Sequence, residues 1–168
     1  MWFGAVAATN LRCFADIEYR PSPRINLIYG SNGAGKTSLL EAFSLASIGK
    51  SFLSNRTSDV VKTGSIGLSV RAVTNREKGG SSTVVVKKMK AETTITMDGM
   101  PVVAASVLAR NAPVLVINSK APDLLSDNPS NRRALIDRSL FHVKHSYVDT
   151  WKQYRQALRQ RNEVVRTG

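Results

Sequence analysis

The run Gly30-Ser31-Asn32-Gly33-Ala34-Gly35-Lys36-Thr37 satisfies the phosphate-loop pattern G-x-x-x-x-G-K-[ST] at every fixed position. Such a loop belongs between a strand and a helix, and the flanking residues offer both. Arg24-Ile25-Asn26-Leu27-Ile28-Tyr29 has strand character. Ser38-Leu39-Leu40-Glu41-Ala42-Phe43-Ser44-Leu45-Ala46 places apolar residues at 39, 42 or 43, and 46, which predicts a helix. Strand, glycine loop and helix in that order predict an α/β chain of the P-loop NTPase class.

The residue types explain the chemistry. Gly30, Gly33 and Gly35 reach backbone angles closed to side chains with a Cβ, so oxygens can approach the main chain. Ser31, Asn32 and Ala34 complete a run of N–H groups that form an anion-binding nest. The helix starting near Gly35 or Lys36 adds the positive end of its dipole, and Ser38 continues its first turn. Lys36 supplies a full charge for the β- and γ-phosphates. Thr37 is the expected Mg²⁺ ligand through its hydroxyl. The competing reading is a glycine-rich turn ahead of an ordinary helix. No N/T-K-x-D element that would read guanine follows the loop, so ATP is the expected nucleotide.

Composition narrows the class. The 168 residues are enough for one domain with a core, and 42% hydrophobic with 21% charged is globular usage. The single cysteine, Cys13, excludes an internal disulfide framework and fits a reducing compartment. His142 and His145 with that cysteine are too few for a metal-ligand cluster; the pair, at i and i+3, fits a shared helix face or plain surface positions. No apolar run approaches membrane-span length, and the apolar start Met1–Ala8 lacks the basic residues of a secretory signal, so it reads as a first strand. The expected compartment is the cytoplasm. Net charge is +12, with +6 in residues 1–128 and another +6 in residues 129–168 alone. A basic excess of this kind favours a polyanionic partner, nucleic acid first, over a merely solvated basic face.

The organisation follows. Residues 1–128 are expected to form the nucleotide-binding lobe, and residues 129–168 the start of a basic helical subdomain. Asp16–Tyr19 alternates as a strand before Pro21 and Pro23. Residues 51–59 read as a loop. Residues 66–98 read as antiparallel strands with a turn over Asn75–Ser82, and Asp98-Gly99 signals a hairpin. Lys87, Lys88 and Lys90 are either a blunted sheet edge or phosphate contacts. Val102–Arg110 fits a short helix, and Val114–Ile117 a buried strand. From Asn131 the chain reads helical after the turn Asn128-Pro129-Ser130, with Arg132 and Arg133 in its first turn. Trp151, Tyr154, Leu158 and Val165 make a stripe that serves either packing or base stacking.

Taken together, GSNGAGKTSLLEA, then SIGKSF, then SDVVKTG, and the late run NPSNRRALIDRSLFHVKHSYVDTWKQYRQALRQRN resemble the RecF recombination and repair proteins of bacteria, from about Leu11 to Arg166. The late run is the more specific part, with Arg132-Arg133, Asp137, Phe141-His142, Trp151, Tyr154 and Arg159-Gln160-Arg161-Asn162 at distinctive spacings. The resemblance implies the N-terminal part of an ATP-binding-cassette-type head like those of structural-maintenance proteins, with a mixed and antiparallel sheet followed by helices. It implies ATP and Mg²⁺, an ATP-dependent homodimer in the complete protein, and DNA that is single-stranded or gapped duplex. It also implies RecO and RecR type partners, recombinase loading at single-stranded gaps, and a role in replication and the SOS response. Carried over by position, Gly30 to Thr37 match the family's phosphate loop, and Arg12 matches an N-terminal arginine near the nucleotide.

The departures are specific. Cys13 stands where the family has Asn, and Asn118-Ser119-Lys120 where it often has a Pro-Glu pair. The second acidic motif and the S-G-G-Q-like element are absent, so no catalytic residue is assigned and hydrolysis by the chain alone is not expected. The family carries both motifs farther on, which makes an N-terminal fragment, or a truncated gene product, the expectation. The alternative is a small P-loop NTPase or phosphotransferase unrelated to DNA.

Overall fold

The computed structural model describes residues 1–54, 56–90, 92–102, 105–117, 136–137, 140 and 147–167. Two compact units emerge, Met1–Val116 and Ile117–Gly168. The expected boundary at 128/129 lies outside the described residues, as do Asn118-Ser119-Lys120, Asn128-Pro129-Ser130, Arg132, Arg133, His142 and His145.

The first unit is a six-stranded sheet with helices on one face. Its strands are β1 (Trp2–Leu11), β2 (Phe14–Tyr19), β3 (Gly67–Asn75), β4 (Ser81–Met89), β5 (Thr93–Met97) and β6 (Met100–Pro101), in the order β2-β1-β3-β4-β5-β6. Every pairing among them is antiparallel. Period-two alternation explains the layering. Val6 and Ala8 of β1, Leu68, Val70 and Ala72 of β3, and Val84 and Val86 of β4 all turn to the buried face. The expected hairpin forms at Asp98-Gly99, where both residues take positive φ (52° and 82°) and Met97 faces Met100.

Helix α1 (Lys36–Ile48) covers that face. Ala42, Leu45 and Ala46 join Val6, Ala8, Leu11, Val60, Leu68, Val70 and Ala72 in one core. Phe43 sets its ring edge-on to Phe3, with centroids 5.0 Å apart. A second cluster joins Val84 and Val86 to Leu108 of α3 (Ala105–Asn111). The short helix α2 (Thr57–Val60) interrupts the expected loop over 51–59. α1 also buries Glu41, Ser44 and Ser47. Ser44 Oγ donates to the Lys50 carbonyl at 2.8 Å, and Ser47 Oγ donates to the Ala112 carbonyl. Among the described residues, no buried side-chain polar atom lacks a partner.

Two sequence expectations fail in an instructive way. Arg24–Tyr29 and Val114–Ile117 belong to no strand, and Ile25, Leu27, Tyr29, Leu115 and Ile117 are all exposed. No described strand pairs with either segment, so their strand propensity completes no ladder. The parallel component of the expected mixed sheet is therefore missing from the described strands.

In the second unit, α4 (Tyr147–Thr167) carries Trp151 and Leu158 half-buried, while Tyr154 and Val165 are exposed. The stripe therefore divides. Asp137 fastens the start of the helix, accepting bonds from Tyr147 Oη and from Trp151 Nε1 at 3.0 Å. Arg155 lies over the Trp151 ring, 5.0 Å from its centroid. Among the described residues, no helix is long and apolar enough to cross a membrane.

The Tyr147 bond makes the helix sensitive to alkali. Donation to the Asp137 carboxylate, with some loss of hydration, raises the phenol above its ordinary value. A raised folded pKa contributes stability below the unfolded value of about 10, which is lost as pH rises through the folded value. Helicity followed by circular dichroism should fall at alkaline pH in the parent protein, and Tyr147→Phe should remove that step. An identical alkaline profile in the two proteins would contradict it.

Candidate nucleotide site

The glycine loop has the backbone that its sequence requires. Gly30, Gly33 and Gly35 take φ of 149°, 82° and 91°, all positive. Gly35 is the position that excludes any substitute. It is the N-cap of α1, and no side chain caps that end. A Cβ on Gly35 would sit 2.4 Å from the Phe14 ring and 2.9 Å from Cys13 Sγ. The turn between β1 and β2 thus presses against the loop where the helix begins. Leu39 N closes the first helical bond onto the Gly35 carbonyl at 2.9 Å, and Ala34 N bonds the Ser31 carbonyl at 3.3 Å.

Lys36 folds back over the loop. Its ammonium donates to the Gly30 carbonyl at 2.9 Å and to the Ser31 carbonyl at 2.7 Å. The side chain therefore spans the concave side of the loop and keeps a third donor. Thr37, one residue on, is exposed, and no group among the described residues engages its hydroxyl. Ser38 lies within 3.9 Å of Cys13 Sγ. Ser31, Asn32 and Ala34 are exposed along the loop. All of the loop residues read from the sequence thus gather at the start of α1.

Arg12 is arranged differently. It sits in the β1–β2 turn at a positive φ of 51°, directly before the residues that touch Gly35. Its guanidinium does not reach toward the loop. Nε and Nη2 donate to the Glu41 carboxylate at 2.7 and 2.8 Å, and Nη1 donates to the Asp59 carbonyl. Glu41 is fully buried in α1 and also accepts a bond from Ser51 Oγ. The bidentate bond to Glu41 is the main reason the Arg12 pKa is raised, against a smaller opposing effect of burial. Asp59 in turn accepts from Ser54 Oγ at 2.6 Å, which with Ser58 holds its carboxyl below the ordinary range.

Sequence reasoning missed Glu41, Ser51 and Asp59. Glu41 carried the only available signal, a carboxylate on the apolar side of a predicted helix, which needs a buried partner. Among the described residues, no group of three or more His, Cys, Asp or Glu stands ready to hold a metal ion. The donors that fit a hard cation are the free hydroxyl of Thr37 and whatever oxygens a bound phosphate brings.

Removing one partner of the Arg12–Glu41 pair strands a buried charge. Arg12→Ala should cost about 3 kcal/mol, at the low end for a buried pair because the guanidinium is one-quarter exposed. Arg12→Ala combined with Glu41→Leu should recover much of that loss in urea unfolding. A double variant no more stable than the single one would exclude a stranded charge as the cause.

A family model described as "AAA domain" matches residues 6–159. The DNA replication and repair protein RecF of Pseudomonas fluorescens (strain Pf-5) is 36% identical over all of this chain. RecF of Pseudomonas putida (strain F1) is 37% identical over 97% of it, and RecF of Shewanella sp. (strain W3-18-1) is 35% identical over 95%. The chain spans under half the length of these relatives, 46%, 45% and 45%. Among solved structures, "Structure of the recombination mediator protein RecF-ATP in RecFOR pathway" superposes with a TM-score of 0.85, covering 99% of this chain and 45% of that one at 22% identity, a likeness of fold. The resemblance of the residues to RecF proteins is borne out, and the P-loop ATPase fold with it. The chain belongs to the AAA domain family, and the relatives it matches over its whole length are RecF proteins.

Proposed function

We propose that this chain is the ATP-binding part of a RecF-type protein that binds DNA in recombinational repair and replication. The observation that carries the reading is the glycine loop at the start of α1, with Lys36 lying across it and Thr37 free beside it, in a chain related along its length to RecF. The solved relative described as RecF-ATP supports ATP as the nucleotide.

The polyphosphate would lie against the amides from Gly30 to Ser38, with the dipole of α1 behind it. Lys36 holds a charge at the β- and γ-phosphates, using the donor that the loop carbonyls leave. Mg²⁺ would be held by Thr37 and the phosphate oxygens, and when bound it neutralises phosphate charge. Arg12 acts as a positioning residue for the nucleotide site. Through Glu41 it fixes the β1–β2 turn against Gly35, which fixes the loop. The basic surface, net +12 overall, supplies the attraction to DNA. The same reading gives the complete protein action at single-stranded gaps to promote recombinase loading, partnership with RecR and RecO type proteins, ATP-dependent pairing of two copies, support of the SOS response, and a cytoplasmic location.

Lys36→Ala tests the reading directly. Calorimetric titration with Mg-ATP should show binding to the parent and none to the variant, with the melting temperature little changed. Equal ATP affinity in both proteins would remove the proposal. Duplex DNA affinity should decline linearly in log–log form with added salt; affinity indifferent to salt would remove the basic surface as its source.

A further inference from the structure

A cavity of about 450 Å³ opens to solvent where the loop after α2 meets the chain just beyond β4. Lys62 and Lys90 line it, with Thr57, Thr63 and Ser65, and no carboxylate lines it among the described residues. Lys62 donates one bond, to the Cys13 carbonyl at 3.2 Å, and its other N–H groups remain available. Among the described residues, the Lys90 ammonium has no partner, nor do the hydroxyls of Thr57, Thr63 and Ser65. The two nearby acids are engaged elsewhere. Asp59 accepts from Ser54 and Ser58 and faces Arg56 and Arg12; Glu92 accepts from Thr94. The same end of the sheet also receives Lys87 and Lys88 from β4, and Lys88 feels the charge of Lys50.

Lysines and hydroxyl residues lining one solvent-open space, with no acid among the described lining residues, make a site for tetrahedral oxyanions. The cavity is also connected to the glycine loop. Lys62 holds the carbonyl of Cys13, whose Sγ would meet a Cβ on Gly35. Cys13 thus lies between Lys62 of the cavity and Gly35 of the loop.

We propose that this cavity binds phosphodiester oxygens of a nucleic-acid backbone, as a site distinct from the glycine loop. The identity of the phosphate's carrier rests on the DNA reading above; the anion chemistry does not. Backbone phosphates are met by lysines and hydroxyls that position the strand without reading its bases.

Two arms test it on the full chain. In the first, anisotropy of a labelled duplex is followed over a salt series for the parent, for Lys90→Gln, and for Lys62→Gln combined with Lys90→Gln. The double variant should bind about 10-fold more weakly, with a salt slope smaller by about 2, and Lys90→Gln should give roughly half of each effect in logarithmic terms. Mg-ATP affinity should hold in Lys90→Gln, whose side chain touches no part of the loop. In the second arm, inorganic phosphate is titrated while the amide resonances of Thr63, Gly64 and Ser65 are followed. They should move in the parent and stay fixed in the double variant. Unaltered DNA affinity together with immobile amides overturns the site. Moving amides with unaltered DNA affinity overturn the nucleic-acid assignment and leave free phosphate as the ligand. A parent that binds no DNA but whose amides respond to phosphate sinks the RecF-type reading and keeps the cavity.

Discussion

The carboxylate of Glu41 is the point on which the first unit turns. It is fully buried in α1, so its charge has to be answered inside the protein. Arg12 answers it with two donors, and Ser51 adds a third. Those contacts join α1, the β1–β2 turn and the segment leading to α2. Because the same turn presents Cys13 and Phe14 to Gly35, an electrostatic requirement in the middle of a helix sets the shape of the loop at its start. The remaining guanidinium donor reaches the Asp59 carbonyl, which ties down α2 as well.

Much of this was legible from residues alone. The glycine loop needed only its own spacing, and the helix after it followed from Leu39, Ala42 and Ala46. The antiparallel strands showed in the alternation of Leu68, Val70 and Ala72, and the hairpin in Asp98-Gly99. What escaped was non-local. Ile25, Leu27 and Tyr29 have the composition of a strand, but a strand exists only beside another, and none of the described ones pairs with them. Arg12 shows the same limit at the site. The resemblance implied a place near the nucleotide, while its choice of Glu41, 29 residues away, depended on the completed fold. The stripe on α4 was half right, because Asp137 fixes Trp151 near the helix start and, among the described residues, nothing comparable covers Tyr154.

The sheet and its helices divide the labour. Apolar alternation buries one face under α1 and α3, which makes a rigid base. At one end of that base, short turns and the ends of helices expose amides, hydroxyls and ammonium groups. The glycine loop and the lysine-lined cavity both adjoin the Arg12–Cys13 turn, through Gly35 and Lys62.

The posture of Lys36 has a thermodynamic corollary. A lysine side chain free to rotate would lose that freedom on meeting a ligand, at a cost of up to about 2 kcal/mol. Here two loop carbonyls already hold its ammonium. The rotamer ordering therefore belongs to the folding reaction, and an incoming anion encounters a cation that is already immobile.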